Sequence, residues 1–219
     1  MTIAPRQRRK DARPQELLDA ALALFVDKGF AATRAEEVAA RAGVSKGTLY
    51  RYYPSKEELF KAVVRNCLVA RIAEGADRVA QHQGSAAELL TLVMGEWWRQ
   101  VGLGVAGGIS RVMLAEARLF PELARFYADE VIAPTHALLG GLIERGIASG
   151  EFRPVPVPET VHVLIGPLLH LMLAEHSFGP CQLRGMTIDP AAVLATQLDL
   201  IFRGLMADPV PLNKARTKK

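Results

Sequence analysis

The chain has little of what organises disulfide-linked or metal-binding proteins. It has two cysteines in 219 residues, Cys67 and Cys181, which stand far apart and outside any Cys-x-x-Cys spacing. This excludes a disulfide framework and a zinc-binding cysteine motif. The histidines form no i,i+4 pair and lie near no acidic cluster of ligand spacing, so we expect neither a metal nor a cofactor. They are His82, His136, His162, His170 and His176.

Long apolar runs are also missing. The segment up to Pro14 is polar and charged, whereas a secretory signal would need an apolar stretch there. The most apolar segment, residues 161–174, contains Pro167 and is shorter than the roughly 20 residues that a membrane-spanning helix takes. We therefore expect a cytoplasmic protein without a membrane partner, and a buried helix over this segment.

No constellation of catalytic residues stands out. Gly102, Gly104 and Gly107 match a dinucleotide-binding pattern, but residues at helical spacing precede them, where that motif requires a strand. We interpret the segment as a loop between two helices. Because no nucleophile–base grouping, carboxylate pair or phosphate loop is supported, an all-helical enzyme is the least favoured function.

What the chain does have is an uneven charge. Its 27 basic and 23 acidic residues give a net charge of +4, and the positive excess lies at the two ends. Such a distribution is typical of a nucleic-acid partner. We predict a disordered basic arm over residues 1–13, which is either a solvated tail or an arm that contacts phosphates or a minor groove. A basic, solubilising tail is predicted over residues 209–219.

Residues 33–60 have the layout of a helix-turn-helix DNA reader. Gly43 permits the tight turn between two short helices, since glycine takes a positive φ without a Cβ clash. Ser45 is a plausible N-cap of the second helix, and Pro54 ends it. Capping boxes are predicted for the first helix, at Thr33 and Glu36, and for the helix after Pro54, at Ser55 and Glu58.

The second helix is predicted to present its polar face to DNA. Leu49 and one of Tyr52 and Tyr53 should face the core, while Gly47, which costs about 1 kcal/mol against alanine in a helix, indicates a close-approaching surface. We expect base-edge contacts from Lys46, Thr48 and Arg51, and phosphate contacts from Thr33, Tyr50 and Lys56. The complete predicted set is Thr33, Arg34, Ser45, Lys46, Gly47, Thr48, Tyr50, Arg51, Tyr52 and Lys56.

The sequence GFAAT, followed by AGVSKGTLYRYYPSKEELF, resembles the N-terminal signature of the TetR family of bacterial transcriptional regulators. The resemblance covers roughly residues 14–62, with Arg34 where a Thr or Ser is common and Tyr53 where Phe is common. It implies an all-α fold, with a helix-turn-helix domain over residues 14–60 and a helical domain for effector binding and dimerisation over residues 61–208. It also implies a homodimer in which each subunit places the second helix of its helix-turn-helix motif on one half of a pseudo-palindromic operator.

Helical periodicity continues through the rest of the chain and predicts about nine helices and no sheet. After a helix over residues 15–29 and the two helices of the motif, we expect helices over 55–82, 86–101, 105–118, 121–149, 158–176 and 189–207. The last two are apolar enough to form a dimer interface, although they could instead fill a monomeric core. The interface residues predicted are Leu164, Leu168, Leu169, Met172, Leu194, Leu198 and Ile201.

The middle helices carry the candidate effector pocket. Its predicted lining residues are aromatic, thioether and polar side chains, which could equally be ordinary core: Met94, Trp97, Trp98, Met113, Phe126, Tyr127 and His136. Because Trp97 and Trp98 are about 100° apart on a helix, only one of them can face the pocket. We expect a repressor released from DNA by a small, largely apolar effector; the alternative is an effector-independent regulator or an activator.

Overall fold

A computed structural model describes residues 5–178 and 189–207, with the backbone alone for residues 5–13. Cys181 and the basic tail over residues 209–219 lie outside the described residues. The described part is helical without a strand, apart from an isolated bridge between Phe152 and Met206. Its α-helices are α1 (Pro5–Lys28), α2 (Ala35–Arg41), α3 (Lys46–Tyr52), α4 (Lys56–Val64), α5 (Ala70–Gln81), α6 (Ala86–Trp97), α7 (Gly107–Glu116), α8 (Pro121–Tyr127), α9 (Ala133–Ala148), α10 (Val157–Phe178) and α11 (Pro190–Leu205).

Three π-helical turns lie within continuous helical runs of the described chain. Arg65–Val69 joins α4 to α5, Trp98–Gly102 extends α6, and Ala128–Ile132 joins α8 to α9. The described residues therefore form nine continuous runs, and the helices predicted over residues 55–82 and 121–149 are each a single run. The predicted all-α class and helix number are confirmed. The glycine-containing segment after Gly102 is a turn between two helices, as predicted.

Helix α1 begins well before the predicted start at Gln15. It runs from Pro5 to Lys28, so residues 5–13 are helical, where a disordered arm was predicted. These residues are mostly Arg, Gln, Lys and Ala, which favour a helix. Pro14 lies inside the helix and removes only one backbone hydrogen bond.

The core of the helix-turn-helix unit does not stop at its predicted boundary near residue 60. Phe60 packs edge-on against Phe25 and Phe30, with ring centroids 5.2 Å apart in each pair. Phe120, which precedes α8, packs edge-on against Phe30 at 4.7 Å. Because buried residues of α7 and α8 belong to the same cluster, the two predicted domains share one hydrophobic core.

A second core lies among α6, α9, α10 and α11, with Leu89, Leu142 and Leu164 fully buried. Helix α10 packs against α7 and α9, and α11 packs against α10 and α6. This arrangement leaves a space between α5, α6, α9 and α10, which is the cavity described below.

Helix α10 is longer than the apolar segment from which it was predicted. It has 22 residues and includes Pro167, so it is long and apolar enough to cross a membrane by length and composition, and the length argument against a span is wrong. Polar residues at both ends extend the helix beyond the apolar segment. Val161, Leu164, Leu168 and Met172 are buried at helical spacing in the core, as in a helix of a packed bundle.

Candidate DNA-binding interface and effector cavity

The turn between α2 and α3 has the geometry expected of a helix-turn-helix. Gly43 has a φ of +66°, which only glycine adopts without strain. The Val44 N–H donates to the Ala39 carbonyl at 2.9 Å and closes the turn. Ser45 caps α3, since its Oγ accepts a hydrogen bond from the Thr48 N–H at 3.1 Å. These contacts set the direction in which α3 leaves α2.

The start of α2 differs from the prediction by one residue. Arg34, not Thr33, is the N-cap, and Glu37 Oε2 accepts a hydrogen bond from the Arg34 N–H at 3.1 Å. Thr33 is buried, and its hydroxyl donates to the Gly29 carbonyl at 2.6 Å. A buried hydroxyl that is already bonded cannot reach a phosphate, so the predicted role of Thr33 in DNA contact is wrong.

The outer face of α3 is polar and exposed. Lys46, Gly47, Tyr50 and Arg51 are exposed, Thr48 is half-buried, and Leu49 is fully buried as predicted. Lys46 Nζ lies 2.5 Å from Glu36 Oε1, and this contact raises the pKa of Lys46. Within the described residues, Arg51 and Arg34 have no ion-pair partner. The strongest unmatched positive charges of this face are therefore these two guanidinium groups.

Nothing in the chain itself requires a glycine at position 47. A Cβ added there would meet only Ser45 Oγ, at an ordinary contact distance of 3.9 Å. The approach of a duplex to the backbone at Gly47 stays a prediction. Tyr52, in contrast, is half-buried and packs against the core together with Tyr53, so only part of its side chain is available for a DNA contact.

Lys56 holds the α1–α2 loop rather than a phosphate. Its Nζ donates to the carbonyls of Phe30 at 2.8 Å, Ala31 at 3.2 Å and Thr33 at 3.1 Å. It also lies 4.5 Å from the centroid of the Phe30 ring. An ammonium group has three donors, and all three are used within the chain. The predicted phosphate contact of the Lys56 side chain is therefore corrected.

Replacing Lys56 with methionine should lower the free energy of unfolding by about 1.5–3 kcal/mol, because hydrogen bonds from a charged group are lost. The slope of operator affinity against salt should stay unchanged, whereas a phosphate contact would reduce it by about 1. Lys61→Met is the matched control, since Lys61 makes a surface pair with Glu58 that is worth little. A reduced salt slope with unchanged stability would contradict this assignment.

Replacing Arg51 with alanine should weaken specific operator binding by about 10- to 100-fold, as expected for a base-edge contact worth 1–3 kcal/mol. Binding to random duplexes should weaken much less, because only one positive charge is lost. Fluorescence anisotropy with both duplexes measures the difference. Arg99→Ala, an exposed arginine beyond α6, should change neither affinity; equal losses on both duplexes for Arg51→Ala would instead indicate a phosphate contact.

Glu116, the last residue of α7, also holds the α1–α2 loop, to which Lys56 bonds through the carbonyl groups. Its carboxylate accepts the backbone N–H groups of Phe30 at 2.9 Å and Ala31 at 2.8 Å. Gly29 has a φ of +86°, and a Cβ there would collide with this carboxylate. Arg111, also on α7, donates to the Val26 carbonyl at 2.5 Å. Helix α7 is thus bonded directly to the unit that carries the reading helix.

A cavity of about 320 Å³ lies between α5, α6, α9 and α10, which is at the lower end of the range for small-molecule pockets. Its walls are mostly apolar. Each of the three π turns contributes a wall residue, namely Leu68, Gln100 and Val131. Because π turns within α-helices occur frequently at functional sites, their convergence on this space supports a binding role for it.

Four of the seven residues predicted for the pocket line the cavity: Met94, Trp97, Tyr127 and His136. The other three do not, and their prediction is corrected. Trp98 is buried against Gly102, Met113 lies in the core shared with the reading unit, and Phe126 packs against the Arg65 guanidinium at 4.9 Å. Helical geometry separates Trp97 from Trp98, and Trp97 is the one that faces the cavity.

Most polar groups in the cavity wall are paired. Tyr127 and Ser110 share a hydrogen bond of 2.8 Å, and burial raises the pKa of Tyr127 to about 12. Arg71 pairs with Glu74, and Arg78 with Glu96. His136 and His162 lie edge to face, with ring centroids 4.8 Å apart. Burial and the neighbouring His162 lower the pKa of His136.

The predicted dimer residues lie largely inside the single chain. Leu164, Leu168, Met172, Leu194 and Leu198 are buried in the second core, so these predictions are corrected. Leu169 lines the cavity, and Ile201 lies in an open apolar groove of about 580 Å³ between α10 and α11. Val163 and Leu200 stand in this groove with 59% and 64% of their surface exposed. Periodicity identified both helices as apolar but could not show which apolar face turned inward.

Known proteins match both halves of this architecture. The sequence model of the family described as bacterial regulatory proteins, tetR family, matches residues 17–63, which include α2 and α3. The model of a tetracyclin repressor-like C-terminal domain matches residues 80–180, which include α6 to α10. The chain belongs to the TetR family. It is therefore a DNA-binding transcriptional regulator.

The relatives of this chain include named transcriptional regulators. YfiR of Bacillus subtilis, an uncharacterized regulator, is 29% identical over 154 residues, which are 69% of this chain and 74% of YfiR. The repressor KstR2 of Rhodococcus jostii is 29% identical over 145 residues, which are 66% of this chain and 70% of KstR2. The structure of Bacillus subtilis FadR in complex with stearoyl-CoA is 20% identical, with a TM-score of 0.74 over 87% of this chain and 98% of FadR, and so shares the fold.

Two features of this TetR-family chain have no signal in its sequence. Glu116 meets a loop 85 residues away, and His136 meets His162 on another helix. Neither spacing marks a site, because contacts between distant helices depend on how the helices pack.

Across residues 14–178 and 189–207, no three His, Cys, Asp or Glu side chains come together as a metal site. Burial raises the pKa of Cys67 to about 12, so its thiol is protonated at neutral pH.

Proposed function

We propose that this protein is a TetR-family repressor that binds a pseudo-palindromic operator as a homodimer and leaves it when a small, largely apolar molecule fills the cavity. The observation that carries the proposal is that α7 contacts both sites. Ser110 bonds to Tyr127 in the cavity wall, and Glu116, at the end of the same helix, bonds to the α1–α2 loop. A molecule that displaces the wall can therefore move the reading helix.

The reading surface proposed is the exposed face of α3 with the start of α2. Lys46, Thr48 and Arg51 are assigned to base edges in the major groove. Arg34 and Tyr50 are assigned to phosphates, and Gly47 and Ser45 to the closest approach of the backbone. Lys46 must break its ion pair with Glu36 before it can contact a base edge. The loss of this exposed pair reduces the net gain from its attraction to DNA.

The dimer surface proposed is the groove between α10 and α11, occupied by the same groove of a second copy. Both helices would then form a four-helix bundle with their partners. Support comes from the exposed apolar side chains of Val163, Pro167 and Leu200 in this groove. A twofold axis through the bundle would place two recognition helices on successive major grooves of one DNA face.

Two continuous paths join cavity and reading unit. One is the helical run from Lys56 to Gln81, which carries cavity residues Leu68 and Ile72 and begins beside α3. The other is α7, through Glu116 and Arg111. A molecule bound in the cavity would favour the conformation of the dimer in which the two helix-turn-helix units are wrongly spaced for DNA. By reciprocity, operator must weaken that molecule by the same factor, typically about 5- to 150-fold.

The proposal is tested by titrating the full chain with a small apolar molecule, with and without operator, while Trp97 fluorescence is recorded. We expect weaker binding in the presence of operator. Trp97→Ala should remove the response and leave operator binding intact, whereas Arg99→Ala should change neither. Equal affinities with and without operator would mean that the cavity does not regulate, and would favour an effector-independent regulator. A reporter gene placed behind the operator then separates the two functions: the protein should lower reporter expression if it is a repressor and raise it if it is an activator.

Replacing Glu116 with glutamine should reduce the coupling free energy between the two sites to less than about half. The carboxylate accepts one N–H on each of its oxygens, whereas the amide has a single acceptor oxygen and its NH2 group cannot accept the second N–H. Ligand affinity in the absence of DNA should stay within about twofold, because Glu116 does not line the cavity. The same titration measures both quantities. Glu122→Gln, an acid in the first turn of α8, is the control; an unchanged coupling factor in Glu116→Gln would exclude α7 as a path.

We further propose that the protein acts in the bacterial cytoplasm and lies on the nucleoid when it is bound to its operator. No membrane partner is assigned, because the apolar face of α10 is used partly in the core and partly in the proposed dimer. Fluorescent fusion of the chain should show a nucleoid pattern that Arg51→Ala makes diffuse.

A further inference from the structure

The cavity contains one pair of polar side chains that the chain itself leaves unmatched. His136 of α9 and His162 of α10 lie in its wall, with ring centroids 4.8 Å apart. Neither imidazole makes a hydrogen bond or ion pair with another described residue. His136 is half-buried and His162 is exposed, so their ring nitrogens are accessible as donors or acceptors. The pair therefore offers a bound molecule hydrogen-bonding groups that the chain itself does not use.

The charges around the pair indicate the sign of that partner. The helices packed around His136 bring to the cavity the ionisable groups Arg71, Glu74, Arg78, Glu96 and His162. Both carboxylates are already paired with the two arginines, so no free acid faces the imidazoles. Burial and His162 lower the pKa of His136. A negative group beside His136 would be stabilised by protonation of that ring.

We propose that the effector is an apolar carboxylic acid whose carboxylate lies between His136 and His162. Its apolar body would contact the remaining walls, which include Leu68, Ile72 and Leu139. The assignment rests on the proposed function, because it names the chemical class of the effector for the same cavity. A volume of about 320 Å³ accommodates on the order of ten to twenty heavy atoms, the size of a medium-chain fatty acid.

Binding of such an acid is coupled to a proton. A carboxylate beside His136 would raise the pKa of this imidazole, so binding of the acid is accompanied by proton uptake. Affinity therefore increases as the pH falls from 8 to 6. It decreases again only near the pKa of the ligand carboxyl group, about 4–5 for a simple carboxylic acid. An alcohol of the same length has no charge for the imidazoles to stabilise, so its affinity should not change over this range.

Decanoic acid and decan-1-ol provide the test, with Trp97 fluorescence of the full chain as the readout. We expect the acid to bind about tenfold or more tightly at pH 6 than at pH 8, and the alcohol to bind equally at both. Calorimetry in two buffers of different ionisation enthalpy should show proton uptake with the acid alone. An acid that binds no tighter than the alcohol at pH 6 would overturn the assignment. Failure of every straight-chain acid from six to fourteen carbons to bind would also overturn it.

Variants locate the effect. His136→Gln and His162→Gln should each lower the affinity for decanoic acid at pH 6 by a larger factor than the affinity for decan-1-ol, and so reduce the preference for the acid. His170→Gln is the matched control, because this exposed histidine of α10 lies outside the cavity wall. An acid preference that survives in both cavity variants would contradict the assignment. If either variant does not fold, the pH dependence and proton uptake of the wild-type chain decide the question.

Operator release, measured in the same samples, separates this assignment from the regulatory function. If the alcohol releases operator as well as the acid does, the regulatory function stands and the carboxylate assignment falls. If the acid binds with the expected pH dependence but leaves operator affinity unchanged, the carboxylate assignment stands and the regulatory function falls.

Discussion

Replacing Leu200 with glutamate is expected to convert the proposed dimer into monomers and to lower operator affinity by at least about 100-fold. Leu200 has 64% of its surface exposed and stands in the groove between α10 and α11. In the proposed dimer, this position is buried against apolar side chains, where an unpaired carboxylate is costly. A monomer carries one recognition helix and can engage only one half-site of a palindrome.

Sedimentation and operator binding of Leu200→Glu check this expectation together. Leu119→Glu is the control, because Leu119 has 70% of its surface exposed between α7 and α8, away from the groove. It should remain dimeric. Leu198→Glu should unfold the chain rather than only separate it, since Leu198 is buried in the second core. A dimeric Leu200→Glu, or a wild-type chain that is monomeric at micromolar concentration yet binds a palindrome tightly, would exclude this interface.

Replacing Phe60 with alanine is expected to lower the free energy of unfolding by about 3–5 kcal/mol. Phe60 is fully buried, and its ring packs edge-on against both Phe25 and Phe30 at 5.2 Å. The total stability of a domain is only about 5–15 kcal/mol, so this change removes much of it. Operator binding should be lost in parallel, because the same three rings position α1 and the loop beside α2.

Urea unfolding of Phe60→Ala measures the stability, and anisotropy measures operator binding. Phe178→Ala provides the comparison, since this ring has 65% of its surface exposed at the end of α10, where substitutions usually change stability by no more than about 0.5 kcal/mol. A loss below about 1 kcal/mol for Phe60→Ala would mean that the aromatic cluster does not hold the reading unit together.

The Phe30–Phe120 contact joins the helix-turn-helix unit to helices α7 and α8. Phe120 lies at the junction of α7 and α8, and Phe30 lies in the loop that Glu116 and Lys56 both hold. The reading unit is therefore not an independent domain on a flexible linker. A shift of α7 caused by a cavity molecule must displace either these aromatic contacts or the loop itself.

The sequence by itself determined the reading unit and the helical class. Gly43, Ser45 and Pro54 act through local backbone geometry: a positive φ, an N-cap and a helix stop each depend on residues within a few positions. Apolar residues at a 3.6-residue period indicate a helix wherever they occur, and the nine predicted helices are accordingly the nine continuous runs of the described residues.

Only the tertiary structure decided what each helix face meets. Periodicity identified α10 as apolar, but packing against α7 and α9 turned Leu164 and Leu168 inward and left Val163 exposed. The sequence around Lys56 is compatible with a bond to a phosphate or to backbone carbonyls. In the folded chain the α1–α2 loop lies beside Lys56, and its ammonium group donates to three carbonyls of that loop. His136 and His162 became a pair because two helices distant in sequence cross beside the cavity. Such contacts follow from the simultaneous packing of many side chains, which no local pattern encodes.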